Sequence, residues 1–239
     1  MTKDTVQVFM TGLAFGESPR WHDGRLWFSN WGAQEIIAVD PKGKSEVVVR
    51  LPFPSFPFSI DWLPDGRLLI ISSSDQPLVG QESDGSLVPH ADLSRGFNEI
   101  VVDGRGNAYI NGAGFNPLAG EKFAPGIITL VTPDGSAKQV ADGIAFPNGM
   151  AITPDTSTLI VADSYGQKLT AFDIANDGGL SKQRLWADLG EGTPDGICID
   201  ARSAQFGMRT SPTSGACAFA KVVKYCKWSS LIVAASLVC

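Results

Sequence analysis

A repeated pattern of short apolar segments and tight turns is the feature that most constrains the fold. Each of the first four units has an apolar segment, a turn that contains Asp-Gly or Pro-Asp, and a second apolar segment, and a fifth unit opens with PDGICIDA at 194–201. The units start near residues 18, 59, 98, 148 and 195, so successive starts are 41, 39, 50 and 47 residues apart. A repeat of about 40 to 50 residues built from short strands has the size of one β-propeller blade. The pattern therefore predicts an all-β propeller.

The composition agrees with many short strands joined by turns. The chain has 239 residues, of which 26 are Gly and 15 are Pro, and these two residue types dominate tight turns. No apolar periodicity of about 3.6 residues persists through the first four units, which argues against long helices. The third unit is longer because of an insertion at 115–123, which we expect to form a loop. A β-sandwich with evenly spaced turns remains the alternative.

The charge and the apolar segments exclude several classes of function. Lys and Arg total 19 against 25 Asp and Glu, and this net charge of −6 argues against binding to nucleic-acid backbones or anionic membranes. No segment has the roughly 18 apolar residues of a membrane span, and residues 1–10 do not resemble a signal peptide. Four Cys without CxxC spacing predict neither a disulfide framework nor a zinc site. A cytoplasmic location is expected.

Oxygen-bearing side chains recur where four of the five units, all but the second, enter their first strand. They are Glu17, Asn98, Asn148 and Asp195. The first strands of propeller blades line the central channel, so equivalent positions converge near the axis. Two carboxylates and two carboxamides suit a hard cation such as Ca²⁺, with Zn²⁺, Mn²⁺ or Fe²⁺ as alternatives. Since Asn and Asp before Gly are common turn residues, a purely structural role is the other interpretation.

Four motifs, in order, resemble those of one protein family. They are FGESPRW at 15–21, RGFNEIVVD at 95–103, FPNGMAITPD at 146–155 followed by VADS at 161–164, and PDGICID at 194–200. The chain resembles the senescence-marker-protein (regucalcin)/gluconolactonase family of six-bladed propeller lactonases over residues 10 to 201. The resemblance implies a metal-dependent hydrolase that opens a small-molecule lactone.

The resemblance also implies roles for individual residues. The metal ligands would be Glu17, Asn148 and Asp195, and Asp195 would also assist the attack of water on the lactone carbonyl. Asn98 would bind the substrate. Arg95 is either a second substrate-binding residue or a solvated loop cation, because two residues separate it from Asn98. The alternatives are a non-catalytic calcium-binding propeller and a phosphotriesterase-like hydrolase on the same scaffold.

The last part of the chain departs from the repeat. Residues 202–239 contain no Asp or Glu and three of the four Cys, so we assign 1–201 to an incomplete propeller and 202–239 to an atypical tail. A shifted reading frame could encode a blade-like continuation, and we hypothesise that the tail is frameshift-derived; a helix at 216–229 is the alternative. Four to five blades are expected instead of six. Residues 5–10 would then lack their usual partner, unless the tail closes the ring.

Overall fold

The computed structural model describes residues 7–8, 10–73, 76–93, 95–116, 119–199, 206–210 and 231–232. Almost all of the regular structure is strand. The strands of the first two repeat units are β2 (Gly16–His22), β3 (Arg25–Asn30), β4 (Glu35–Val39), β5 (Ser45–Arg50), β6 (Phe58–Trp62), β7 (Leu68–Ser72), β8 (Leu78–Gln81) and β9 (Leu87–Ala91). A short β1 (Gln7–Val8) precedes them.

The later strands follow the same plan. They are β10 (Glu99–Val102), β11 (Ala108–Gly112), β12 (Gly126–Val131), β13 (Ala137–Ile144), β14 (Pro147–Ile152), β15 (Thr158–Asp163), β16 (Lys168–Ile174), β17 (Leu180–Asp188), β18 (Pro194–Ile199), β19 (Phe206–Thr210) and β20 (Leu231–Ile232). The five repeat units predicted from the sequence therefore begin within two residues of the observed first strands.

Four antiparallel sheets of four strands each form the blades. Their strand orders are β2-β3-β4-β5, β6-β7-β8-β9, β10-β11-β12-β13 and β14-β15-β16-β17, and we number these blades 1 to 4. Each sheet is a simple meander of neighbouring strands, which confirms the propeller and excludes the sandwich. The 115–123 insertion lies in the connection between β11 and β12, as predicted.

Turn chemistry explains why the strands end where they do. Asp23-Gly24 joins β2 to β3, and Pro64-Asp65-Gly66 joins β6 to β7. Gly24 and Gly66 have φ values of 73° and 88°, a region that glycine enters without steric cost. The Asp65 Oδ1 atom accepts a hydrogen bond of 3.0 Å from the backbone N–H of Arg67 and fixes the turn.

The core lies between successive blades. One apolar cluster joins blades 1 and 2 around Phe58 and Ile70, and a second joins blades 2 and 3 around Ile71 and Ile110. A third joins blades 3 and 4 around Tyr109. Because each blade packs face to face on the next, the first strands β2, β6, β10, β14 and β18 contact one another in sequence. We call these five the inner strands.

The fifth unit differs from the four blades. Strand β18 pairs with β19, so one hairpin is described for this unit, and its second strand lies beyond residue 201. Strand β1 pairs in parallel with β20, a strand of the tail, over two residues. The incomplete propeller is thus confirmed, and its N-terminal strand lies beside the tail. The alternative helix at 216–229 lies outside the described residues, and the frameshift stays a hypothesis.

Helix is scarce in the part of the chain that the structure describes. A 3-10 helix at Trp31–Ala33 follows β3. None of the described helical segments has the length and apolar character needed to cross a membrane.

Candidate functional site

Three of the predicted cation ligands occupy the same place in their strands. We call them the donors, because each would supply an oxygen atom to the cation. Each is the second residue of an inner strand, and the residue before it pairs with the last residue of the neighbouring strand. The three are Glu17 in β2, Asn148 in β14 and Asp195 in β18. All three side chains are half-buried. Equivalent registers place these residues at the same level of the successive inner strands.

The same three strands share an irregularity at the donor, which follows Glu17 in β2 and includes the donor itself in β14 and β18. The register of β2 shifts between Glu17 and Arg20, that of β14 between Pro147 and Met150, and that of β18 between Pro194 and Ile197. Such bulges leave residues unpaired and redirect their side chains, and they are frequent beside active sites. The chain uses Ser18, with φ of 50°, at the blade 1 bulge and glycines at the other two.

In blade 3 the register selects a residue that the sequence analysis passed over. Asn98 precedes β10, whereas Glu99 is the residue that pairs with Asn111 near the end of β11. Glu99 therefore occupies the level of the three donors. One repeated feature of the sequence marks this level: a Phe lies two residues before each of Glu17, Glu99 and Asn148.

Direct contacts link blades 3, 4 and the fifth unit at this level. Asn98 Nδ2 donates to Asn148 Oδ1 at 3.5 Å, and Asn148 Nδ2 donates to Ser164 Oγ at 3.4 Å. The Ser164 hydroxyl in turn donates to the carbonyl oxygen of Pro194 at 2.6 Å. Pro194 directly precedes Asp195, so a chain of polar contacts joins three of the predicted residues.

Glu17 joins the group through its neighbour. The Ser18 and Ser59 hydroxyl oxygens lie 2.5 Å apart, and Ser59 Oγ donates to Glu99 Oε2 at 3.0 Å. Arg20 Nη2 donates to the same Glu99 oxygen at 3.0 Å. Burial raises the pKa of Glu99 above its ordinary value; the Arg20 charge opposes the rise and the nearby Asp195 charge adds to it. Glu99 and Asp195 are thus electrostatic neighbours.

Two buried polar atoms beside the inner strands have no partner within the described residues. They are Ser29 Oγ, on the residue opposite Glu17, and Asn111 Oδ1, on the residue opposite Glu99. The Asn111 amide nitrogen donates to the backbone oxygen of Asn148 at 2.6 Å, so this free oxygen belongs to the same group. Unsatisfied buried acceptors near oxygen donors fit a site that binds a hydrated cation.

The candidate site does not depend on a cluster of acids or histidines. Within the described ranges, no three or more His, Cys, Asp or Glu side chains are grouped so that they could hold a metal together. The predicted donor set has two carboxylates, Glu17 and Asp195, and a carboxamide from Asn148. Calcium accepts carboxamide and water oxygens readily, whereas zinc prefers nitrogen and sulfur.

The contacts of Arg95 are within the protein. Its guanidinium donates to the backbone oxygen of Ala113 and lies 5.6 Å from the centre of the Phe97 ring. Burial lowers the pKa of Arg95. Arg95 is therefore a packed loop residue, with part of its guanidinium committed to the connection after β11.

Aromatic rings flank the donors at the same end of the inner strands. Phe15 stacks on Trp31 at 5.2 Å between centroids, and Phe146 stacks on Tyr165 at 4.6 Å. Phe15 and Phe146 each lie two residues before a donor. The rings of Phe56, Phe123 and Tyr165, which extend these two clusters, are more than half exposed. In contrast, Phe58 is fully buried and packs between blades.

A hollow of about 490 Å³ lies at the opposite end of the first two inner strands. Its lining includes the His22 ring, which stacks on Trp62 at 4.1 Å, and the Arg20 and Asp61 side chains. None of the predicted donors lines it.

Comparison with known proteins agrees with this architecture. A family model described as the SMP-30/gluconolactonase/LRE-like region matches residues 15–207. A gluconolactonase of Xanthomonas campestris has a similar structure, with a TM-score of 0.67, 24% identity, and coverage of 83% of this chain and 70% of that one. At this identity the structural likeness establishes the fold.

Three curated relatives are similar in sequence. Regucalcin of Xenopus laevis is 30% identical over 200 residues, 78% of this chain and 65% of the relative. Diisopropyl-fluorophosphatase of Loligo vulgaris is 26% identical over 192 residues, 70% and 60% of the two chains. Pentonolactonase XacC of Haloferax volcanii is 25% identical over 206 residues, 82% and 66% of the two chains. The chain thus spans about two thirds of the length of these relatives.

Proposed function

Because the chain belongs to the SMP-30/gluconolactonase/LRE-like family, we propose that it hydrolyses a small-molecule lactone with the help of a divalent cation. The observation that carries this proposal is the common register of Glu17, Asn148 and Asp195. Each lies within or directly before a bulge, so three strands from distant parts of the sequence present an oxygen donor at the same level.

The donor set favours Ca²⁺, and Zn²⁺, Mn²⁺ or Fe²⁺ are the alternatives. Glu17 and Asp195 supply carboxylate oxygens, and Asn148 supplies the amide oxygen. When bound there, a divalent cation supplies Lewis-acid stabilisation of the oxyanion formed from the lactone carbonyl. Ser164 orients the Asn148 side chain by accepting a hydrogen bond from its Nδ2 atom at 3.4 Å. The Oδ1 atom of Asn148, which accepts a hydrogen bond from Asn98 Nδ2 at 3.5 Å, is then the atom that would bind the cation.

Asp195 is the proposed base. In lactone hydrolysis a water oxygen attacks the carbonyl carbon and one water proton passes to the base. As the bond between the carbonyl carbon and the ring oxygen breaks, the base returns this proton to the ring oxygen, which leaves as a hydroxyl. A carboxylate that binds a cation through one oxygen keeps a second oxygen for this proton. Asn98, whose Nδ2 atom lies 3.5 Å from Asn148 Oδ1, is the proposed substrate-binding residue. Arg95, in the preceding loop, is the second candidate for substrate binding.

The proposal is tested by measuring acid release from five- and six-membered aldonolactones in the presence of Ca²⁺. We expect turnover by the wild type and a loss of at least about 100-fold in Asp195→Asn, because an amide cannot accept the proton. The control is Asp142→Asn, which changes an exposed carboxylate on β13. Equal rates for Asp195→Asn and the wild type would refute the assigned base.

A phosphotriester hydrolase is the second candidate function. It is favoured by the 26% identity to diisopropyl-fluorophosphatase of Loligo vulgaris. The same donors could stabilise charge on a phosphoryl oxygen instead of a carbonyl oxygen. Fluoride release from a fluorophosphate, compared with lactone opening by the same preparation, distinguishes the two functions. Calcium binding without either activity would indicate a non-catalytic binding propeller.

A further inference from the structure

Arg20 is the single Lys or Arg on the five inner strands, all of which lie within the described residues. The same strands carry four carboxylates: Glu17, Asp61, Glu99 and Asp195. A lone cation among four acids at the centre of a fold has consequences for any ion that binds nearby, because the effective dielectric there is far below that of water.

The contacts of Arg20 commit it to one of these acids. Its Nη2 atom donates to Glu99 Oε2 at 3.0 Å and to the backbone oxygen of Ile100 at 2.9 Å. The Arg20 and Glu99 side chains are 22% and 12% exposed, so water screens this pair only partly. Ser59 Oγ also donates to Glu99 Oε2 at 3.0 Å, so one carboxylate oxygen of Glu99 accepts two hydrogen bonds from the protein.

Glu99 has the right level in the repeat to act as a further cation ligand. It pairs with Asn111 in β11 just as Glu17 pairs with Ser29 in β3. The strands differ after these residues, because β10 pairs regularly beyond Glu99 whereas the register of β2 shifts after Glu17. The Glu99 carboxylate accepts the hydrogen bond from Arg20. The difference suggests that the repeat places a possible cation-binding oxygen at this level in blade 3. The hydrogen bond from Arg20 engages this oxygen of Glu99.

We propose that Arg20 is a built-in counter-ion, which holds Glu99 out of the donor set and thereby limits the cation affinity of the inner strands. This inference rests on the cation site proposed above. Arg20 is a positioning residue in this account, because it acts through Glu99. Without Arg20, the Glu99 charge is uncompensated and attracts the cation; without Glu99, the Arg20 charge is uncompensated and repels it.

Isothermal titration with Ca²⁺ tests the inference on purified full-length protein. We expect Arg20→Met to tighten Ca²⁺ binding by about tenfold or more, and Glu99→Gln to weaken it by about tenfold or more, because a unit charge is unmasked in each case. The double variant Arg20→Met/Glu99→Gln should return to within about threefold of the wild type. Opposite signs are the diagnostic result, since a merely structural pair would lower affinity in both variants.

The matched control is Arg25→Met, which breaks the 2.9 Å ion pair between Arg25 and Glu46 at the outer part of blade 1. Its Ca²⁺ affinity should equal that of the wild type. If Arg20→Met does not fold, Glu99→Gln and the double variant decide, because restored affinity in the double variant still requires the charge effect. If both single variants change the Ca²⁺ affinity in the same direction, or if Glu99→Gln leaves it unchanged, this inference alone is overturned. If the wild type binds no Ca²⁺, the proposed cation site is overturned as well.

Discussion

The inner strands of blades 1 and 4 and of the fifth unit differ from those of blades 2 and 3. In β2 the register shifts directly after the second residue, and in β14 and β18 it shifts across the second residue, whereas β6 and β10 pair without interruption. The second residue of the bulged strands is Glu17, Asn148 or Asp195, and that of β6 is Ser59; its equivalent in β10 is Glu99.

The comparison shows that the same position of the repeat, at the second residue of an inner strand, serves two purposes: proposed cation binding in the bulged strands and hydrogen bonding within the protein in the regular strands. In the regular strands the polar side chain is satisfied by the protein, since Ser59 and Arg20 both donate to Glu99. In the bulged strands the ladder is interrupted at the donor or directly after it, and such an interruption changes the direction of the side chains there. Bulged strands therefore supply the proposed cation donors, and regular strands supply the charge and hydrogen bonds around them.

The largest expected effect comes from filling the bulge of β14. A Cβ atom at Gly149 would lie 2.6 Å from the backbone oxygen of Asp195 and 2.7 Å from the backbone nitrogen of Ile197. Since backbone cannot move aside cheaply, Gly149→Ala should lower the free energy of unfolding by about 3 kcal/mol. It should also weaken Ca²⁺ binding, because it separates β14 from β18. Urea denaturation and calorimetry measure the two effects.

Gly196→Ala is the matched control. Gly196 holds the same place in the β18 bulge, but a Cβ atom there meets nothing within 4 Å. The change should alter the free energy of unfolding by less than about 0.5 kcal/mol. Equal losses of unfolding free energy in the two variants would show that the close approach of β14 and β18 does not contribute to stability.

A smaller effect is expected from the hydroxyl that orients Asn148. Ser164→Ala removes both the acceptor for Asn148 Nδ2 and the donor to the Pro194 oxygen. Outer partners of metal ligands typically contribute about tenfold to affinity, so we expect Ca²⁺ binding to weaken by about tenfold.

The control for this change lies in a blade with a regular inner strand. Ser73 holds the equivalent place in blade 2, where its N–H donates to the Pro57 oxygen as the Ser164 N–H donates to the Phe146 oxygen. Ser73→Ala should leave Ca²⁺ affinity unchanged. A similar loss in both variants would remove the distinction between the two kinds of inner strand.

The sequence predicted the blades better than the site. Asp-Gly and Pro-Asp turns are local signals, and they located every inner strand within two residues. Register is set by pairing between different strands, so the position of Asn98 in the sequence does not show that its neighbour Glu99 holds the level of Glu17. Arg20 and Glu99 are 79 residues apart in the sequence, so no local sequence pattern predicts their contact. The family resemblance was needed to assign roles to the donors.

The smallest expected effect concerns Asp61 on the regular strand β6. Burial raises the pKa of Asp61, against the Arg20 charge and hydrogen bonds from the Val102 and Trp62 N–H groups. The folded protein then holds this proton more tightly than the unfolded chain. The contribution of Asp61 to stability is therefore greatest below the unfolded pKa and falls as the pH rises towards the folded value.

Unfolding free energies of the wild type and Asp61→Asn, measured from about pH 3 to about pH 7, test this sign. The wild-type value minus the variant value should decrease as the pH rises. Asp84→Asn is the control of opposite sign, since the Ser86 hydroxyl lowers the pKa of the exposed Asp84. A difference that grows with pH for Asp61 would contradict the assigned burial effect.

The central claim is that Glu17, Asn148 and Asp195 bind one divalent cation. The most direct measurement is anomalous diffraction from crystals of the protein grown with Mn²⁺. We predict one strong peak within about 2.6 Å of an oxygen of each of the three side chains. A peak elsewhere, or three side chains too far apart to share one ion, would contradict the account.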